Sequence, residues 1–294
     1  MIIVTLIAAD RLTRDAIYQA SDVLGDANIS ANEWRWVDEG SAADIECRAS
    51  PIQLFQIRSA LGAIEGVDII VQPAAERPKA LLVADMDSTM IGQECLDELA
   101  DYAGIKADVA AITERAMRGD LNFAASLKER VALLKGLDEA VIARCLDERV
   151  RPNPGAETLV RTMRGRGAIT LLVSGGFTAF AKPVAEMLGF ERVVANRFGS
   201  SGGKLNGSVD GPIVDAQTKR QALEETRAEL GISSAAVLAV GDGANDRPMI
   251  EAAGLGVAYH AKPVLAALAD ARLDHNGLDA LLWVQGISRS EWVV

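Results

Sequence analysis

The fold of this chain is decided by the stretch KALLVADMDST at residues 79–89. Its apolar run at 80–84 has the length of a buried strand, and Asp85 and Asp87 follow at the carboxyl end of that run. Open α/β sheets carry their chemistry at this end of the strands. Two carboxylates this close in sequence can divide the work, because one can attack or hold a metal while the other transfers protons. The stretch therefore predicts a catalytic α/β sheet.

Composition places the chain among globular proteins. Its 294 residues are 49% hydrophobic, which suffices for one large or two unequal packed units. The formal net charge of −11 argues against nucleic-acid binding, because such a surface repels phosphate backbones. We therefore expect no nucleic-acid partner.

Targeting and cysteine patterns point to one setting. The apolar start at residues 1–7 lacks the basic flank of a signal peptide, and no later run approaches membrane-spanning length. Cys47, Cys95 and Cys145 match neither a zinc site nor a disulfide framework, so we expect buried free thiols. These patterns predict a cytoplasmic protein that does not enter a membrane.

Residues 1–76 have the pattern of a small α+β unit. Strands are predicted at 2–8, 33–37, 43–48 and 67–71, and helices at 13–24 and 52–63. This order fits a ferredoxin-like unit. The segment at 72–78 contains two prolines and predicts a linker to the rest of the chain. Because the unit carries no catalytic cluster, we expect a regulatory or packing role for it.

From residue 79 to residue 294, apolar strands alternate with helical stretches. The strands are predicted at 80–84, 168–173, 192–196, 236–240 and 256–258. This alternation favours a parallel sheet covered by helices on both faces. The first two strands are separated by a strandless stretch far longer than a normal crossover, which predicts a helical cap inserted at about 93–153. The glycine-rich stretch at 196–214 predicts a hairpin.

Two candidate phosphate-binding groups follow the first strands. Ser174, Gly175 and Gly176 come directly after the strand at 168–173. Such a tripeptide is either an ordinary loop or a place where backbone N–H groups approach an anion. Lys219 begins a helical stretch and is either a surface lysine or a cation that reaches a phosphate.

An acidic loop follows the strand at 236–240. Asp242 and Asp246 in this loop are either turn residues or part of a cation site completed by Asp85. Mg²⁺ suits one or two carboxylates together with substrate oxygens. An EF-hand is excluded because the Glu required at its twelfth position is missing.

One arginine of the cap lies on an apolar helix face. Arg130 shares that face with Phe123, Leu127 and Leu134 by helical spacing. It either extends its head past the apolar stripe to water or binds an anionic partner.

Taken together, the motifs carry a family resemblance. They occur in the order Asp85-x-Asp87-Ser88-Thr89, Ser174-Gly175-Gly176, Lys219, Gly241-Asp242-Gly243-x-Asn245-Asp246. This order resembles the haloacid dehalogenase-like phosphatases. The sequences DMDSTMIGQE at 85–94 and MRGDLNF at 117–123 are similar to the members of that family that act on phosphoserine. The resemblance covers residues 79 to about 285, and the N-terminal unit resembles the ACT-type extension of some members.

The resemblance implies catalytic and metal-binding roles. It implies a Rossmann-like parallel-sheet core in which Asp85 is the nucleophile and forms an aspartyl-phosphate. Asp87 would protonate the leaving oxygen and then accept a proton from water. Mg²⁺ would be held by the side chains of Asp85 and Asp242 and by the backbone carbonyl of Asp87.

It also implies how the substrate is held. Ser174, Gly175 and Lys219 would bind the phosphoryl group, with Asn245 also in contact with the substrate. Glu94 would bind the substrate ammonium and Arg130 its carboxylate. The remaining expected residues support the site: Met117, Phe123, Gly176 and Asp246.

The implied activity is hydrolysis of O-phosphoserine to serine and phosphate, the last step of serine biosynthesis. Two alternatives stay open within the same fold: a phosphotransferase, and a phosphatase of another small amino-acid-like ester. A third is a regulatory protein with an inactive large domain, which the retained pair Asp85 and Asp87 speaks against. The resemblance leaves open a homodimer and an amino-acid effector bound to the N-terminal unit.

Overall fold

Two β-sheets organise the chain. The computed structural model describes residues 1–62, 64–118 and 120–294, without the side chains of Pro51 and Met117. An antiparallel sheet of four strands precedes a seven-stranded sheet that is parallel apart from one hairpin. The predicted α/β fold with a separate small α+β sheet is therefore confirmed. The last residue of the helix predicted at 52–63 lies outside the described residues.

The N-terminal unit has the predicted order of elements. Its elements are β1 Ile2–Ala8, α1 Arg14–Asp26, β2 Ser30–Asp38, β3 Ala42–Arg48, α2 Leu54–Leu61 and β4 Val67–Pro73. The strands lie in the order β2-β3-β1-β4, and every neighbouring pair is antiparallel. Strand β1 is buried along its whole length because Leu6 packs towards the two helices while Ile7 joins the core of the larger sheet.

Two residues of the segment predicted as a linker, Gln72 and Arg77, are buried. Arg77 is 7% exposed, and its guanidinium donates to both carboxyl oxygens of Asp44 at 2.6 and 2.8 Å. Arg77 and Gln72 also donate to the carbonyl of Val284 near the C-terminus. The two prolines fix only the local backbone, whereas the burial of Gln72 and Arg77 depends on partners distant in sequence. The division of the chain into domains at residue 76 remains a prediction.

The larger sheet places the chemistry. Its strands are β5 Leu81–Ala84, β6 Ile169–Phe177, β7 Arg192–Ser201, β8 Lys204–Asp210, β9 Val237–Gly241, β10 Leu255–Tyr259 and β11 Ala271–Leu273. They lie in the order β11-β10-β9-β5-β6-β7-β8, and β7 and β8 form the predicted hairpin. Strand β5 lies between β6 and β9. After β5 the chain first adds β6, β7 and β8 on one side, and then adds β9, β10 and β11 on the other side. Ligands of open α/β sheets bind at such a switch point.

Helices cover this sheet, and an insert of helices forms the predicted cap. The cap contains α3 Cys95–Tyr102, α4 Lys106–Met117, α5 Phe123–Ala132 and α6 Ala140–Arg149. The other helices are α7 Ala156–Gly165, α8 Thr178–Leu188, α9 Ala216–Leu230, α10 Arg247–Ala252, α11 Pro263–Ala266 and α12 Ala280–Val284. The two ends of the insert lie side by side, because Ile91 pairs with Pro152 in an isolated bridge. In the described ranges, no helix combines the length and apolar character needed to cross a membrane. The three cysteines are buried free thiols, as predicted.

Candidate active site

A cavity of about 240 Å³ lies between the carboxyl ends of β5, β6 and β9 and the cap. Most of the residues predicted to form the site line it: Asp85, Asp87, Glu94, Phe123, Arg130, Ser174, Gly175, Gly176, Asp242 and Asn245. The side chain of Met117, which was also predicted here, lies outside the described residues. The structure thus brings cap residues and strand-end residues to one cavity.

A buried lysine lies beneath the first aspartate. The ammonium of Lys219 is 2.6 Å from Asp85 Oδ1 and 2.7 Å from Asp246 Oδ1. Burial by itself would lower the pKa of Lys219, but the two carboxylates outweigh burial and raise it. Lys219 is only 1% exposed, so its alternative interpretation as a surface lysine is wrong. The lysine is a fixed positive charge beside the carboxylate of Asp85.

Asp246 holds the acidic loop in place. Its Oδ2 accepts from the backbone N–H of Asp242 at 3.2 Å and of Gly243 at 3.0 Å, while its Oδ1 accepts from Lys219. A Cβ at Gly241 would lie 2.5 Å from Asp246 Cγ, so the strand end must be glycine. Both carboxyl oxygens of Asp246 are therefore already engaged.

The residues present fit a divalent cation. Carboxylate oxygens of Asp85, Asp242 and Asp246 lie within 4.8 Å of one another. Burial and the charge of Asp246 raise the pKa of Asp85, and they raise the pKa of Asp242 to about 6. A hard cation would relieve this crowding of carboxylates. Because Asp246 is engaged elsewhere, Asp85 and Asp242 are the carboxylates available as ligands, and the hydroxyl of Thr89 orients Asp242 at 3.2 Å.

The carboxyl group of Asp87 is fixed in direction and has a raised pKa. Its Oδ1 accepts from the backbone N–H of Cys95 at 3.1 Å, and a Cβ at Gly176 would lie 3.0 Å from its Oδ2. Burial and the nearby charge of Glu94 raise the pKa of Asp87 to about 7. A carboxyl group with a pKa near neutrality can both give and accept a proton.

The tripeptide after the strand at 168–173 forms an irregular end of β6. The register between β6 and β7 shifts between Ser174 and Phe177. Ser174 Oγ accepts from the N–H of Gly176 at 2.8 Å. The buried Asn196 donates to the carbonyl of Gly175 at 2.8 Å and so fixes this loop. Asn196 carries no motif of its own in the sequence.

The cap contributes an arginine without an anionic partner. Arg130 forms no ion pair with any residue that the structure describes, and its buried Nε has no hydrogen-bond partner. Burial lowers the pKa of Arg130, while the nearby charges of Asp97 and Glu94 act against burial. The ring of Phe123 lies over Gly175, where an added Cβ would be 3.2 Å from its Cζ. The cap thus contributes a cation to the lining of the cavity.

Sequence reasoning missed a second cation of the cavity. Lys262 follows β10 and lines the cavity, and its backbone N–H donates to the carbonyl of Asp242 at 3.0 Å. No motif surrounds Lys262. Its position just after a predicted strand of the same sheet is the signal that could have found it.

Comparison with known proteins defines the class. The model of the haloacid dehalogenase-like hydrolase family matches residues 82–251. The chain therefore belongs to the haloacid dehalogenase-like hydrolases.

Within this family, the chain is similar to phosphoserine phosphatases. It is 48% identical to one from Polaromonas sp. over 207 residues, which are 69% of this chain and 88% of the relative. It is 44% identical over 218 residues to one from Archaeoglobus fulgidus, matching 74% of this chain but only 63% of the relative's length. The crystal structure of a probable phosphoserine phosphatase from Vibrio cholerae superposes with a TM-score of 0.78 at 29% identity, covering 99% of this chain and 88% of that one.

Proposed function

We propose that this chain is a Mg²⁺-dependent phosphatase that hydrolyses O-phosphoserine to serine and phosphate. The observation that carries the proposal is Arg130, which lines the cavity together with Glu94 and has no ion-pair partner among the described residues. Phosphoserine offers a carboxylate to the arginine and an ammonium to the glutamate, and its phosphate reaches the strand ends. The similarity to phosphoserine phosphatases supports the same substrate.

The buried floor of the cavity would hold the phosphoryl group. Its oxygens would accept charge-assisted hydrogen bonds from the Ser174 hydroxyl, the Gly175 N–H and the Lys219 ammonium. Held by the carboxylates of Asp85 and Asp242 and the carbonyl of Asp87, Mg²⁺ would offset charge on the same oxygens.

The chemistry would proceed in two displacements. An oxygen of Asp85 attacks phosphorus, the bond from phosphorus to the serine oxygen breaks, and Asp87 gives its proton to that oxygen. Asp87 then accepts a proton from a water molecule that attacks the phosphorus of the aspartyl-phosphate. Phosphate leaves and the carboxylate of Asp85 is restored. The raised pKa of Asp87 suits both proton transfers.

A substrate panel tests this proposal. Phosphate release by the purified protein with Mg²⁺ is compared for phosphoserine, phosphothreonine and a sugar phosphate, with and without an acceptor alcohol. We expect phosphoserine to be preferred and the acceptor to receive little phosphate. The Asp85→Asn variant serves as the control for contaminating phosphatases and should release none. Equal rates on all esters would contradict recognition by the cap, and efficient transfer to the alcohol would favour a phosphotransferase instead.

A further inference from the structure

Ser88 has an unusual backbone conformation. Its φ of 55° and ψ of 1° lie in the left-handed region. A side chain with a Cβ rarely adopts this region, whereas glycine does so without steric cost. Strained residues of this kind persist where the surrounding structure enforces them, often at functional sites. A serine rather than a glycine at this position indicates that the side chain has a use.

The hydroxyl of Ser88 contacts the cap. It donates to Glu94 Oε1 at 2.8 Å. In the part of the chain that the structure describes, Glu94 forms no ion pair, and its side chain does not cap the helix α3 that it precedes. The bond from Ser88 is therefore what fixes the direction of this carboxylate, which lines the cavity.

Around the left-handed residue Ser88, three successive side chains form hydrogen bonds in three different parts of the site. Asp87 is held by the N–H of Cys95, Ser88 bonds to Glu94, and the hydroxyl of Thr89 bonds to Asp242. The segment thus connects the proton donor, the cap and the candidate cation site within three residues.

We propose that Ser88 is a positioning residue that holds Glu94 for the ammonium group of the substrate. This inference rests on the proposed function, since it assigns Glu94 to the ammonium of an amino-acid phosphate. A glycine would relieve the strained backbone but would remove the hydroxyl that fixes the direction of the exposed Glu94.

Two variants separate the hydroxyl from the backbone. Ser88→Gly and Ser88→Ala both remove the hydroxyl, but only the glycine relieves the left-handed conformation. Asn28 has a φ of 58° in the N-terminal unit, so Asn28→Gly gives the same relief away from the site. Melting temperatures are recorded with kcat and KM for phosphoserine. Inhibition constants are measured for phosphoethanolamine, which lacks the carboxylate, and for 3-phosphonooxypropanoate, which lacks the ammonium.

We expect both Ser88 variants to raise KM for phosphoserine and the inhibition constant of phosphoethanolamine by roughly 10-fold. This is the low end of the usual effect of losing a hydrogen bond to a charged group, because the bond is exposed. The inhibition constant of 3-phosphonooxypropanoate should be the same for both Ser88 variants as for the wild type. Ser88→Gly should melt no lower than Ser88→Ala, and Asn28→Gly should change none of the three constants.

A wild-type KM for phosphoserine together with a wild-type inhibition constant for phosphoethanolamine in Ser88→Gly would overturn the proposal. Equal losses for all three compounds would overturn it as well. Failure of the wild-type protein to hydrolyse phosphoserine would instead refute the proposed function. In that case, hydrolysis of a different phosphate ester is used to measure the inhibition constants of the two analogues. The ratio of each inhibition constant between the Ser88 variant and the wild type still decides the role of Ser88.

Discussion

Removal of the Arg130 guanidinium gives the sharpest test of substrate recognition by the cap. In the substrate complex, this cation would pair with the carboxylate of phosphoserine inside a partly desolvated cavity. Truncating one partner of such a pair costs about 2 to 5 kcal/mol. Because Arg130 is half-buried rather than fully enclosed, we expect about 3 kcal/mol, or about 150-fold in kcat/KM.

The assay compares Arg130→Ala with the wild type on two substrates. Phosphoethanolamine lacks the carboxylate, so its kcat/KM should change little, and the ratio of the two losses isolates the contact between Arg130 and the carboxylate. Arg115→Ala is the matched control, because Arg115 forms an exposed ion pair with Glu129 elsewhere in the cap. The melting temperature of Arg130→Ala should stay near that of the wild type, since Arg130 forms no ion pair within the described part of the chain. Equal losses on both substrates would refute the assignment.

Three further predictions follow from the geometry. Burial raises the pKa of Asp87 to about 7 and the pKa of Asp242 to about 6. Between pH 4 and pH 7 the folded, metal-free protein therefore keeps protons that the unfolded chain has released, so its free energy of unfolding should fall over this range. Mg²⁺ should restore the free energy of unfolding at pH 7. A melting temperature in chelator that rises over this range would contradict that sign. Asp44→Ala should lower the free energy of unfolding, measured in urea, by about 3 to 5 kcal/mol, because it leaves Arg77 buried without its partner. A loss below about 1 kcal/mol would show that this ion pair does not hold the N-terminal unit to the rest of the chain. Gly176→Ala should lower kcat strongly with little change in melting temperature, because its Cβ would lie 3.0 Å from an oxygen of Asp87; near-normal kcat would show that the loop can move aside.

Local pattern and chain order were enough to predict the strand-end part of the site. Asp85, Ser174 and Asp242 each follow an apolar run, and the carboxyl ends of parallel strands meet at one edge of the sheet. Their meeting therefore required only that the runs pair, which β5, β6 and β9 do. The helical spacing likewise predicted that Leu127 of α5 is buried, and Leu134 is buried just beyond the end of that helix.

What could not be predicted depends on partners distant in sequence. Arg77 lies in a proline-containing segment that looks like a linker, and its burial is decided by Asp44 in another strand. The three-residue strand β11 is too short to leave a periodic signal. Lys262 has no motif, and the backbone strain at Ser88 cannot be read from residue types. Such features arise from tertiary packing, which overrides local preference.

In the proposed reaction, Asp85 carries the phosphoryl group during turnover. The most direct measurement is a rapid acid quench of the protein with ³²P-labelled phosphoserine and Mg²⁺, followed by identification of the labelled peptide. We expect label on the peptide that contains Asp85, formed before free phosphate appears and absent from Asp85→Asn. Phosphate release without a labelled enzyme species, or label on Ser174 instead, would contradict it.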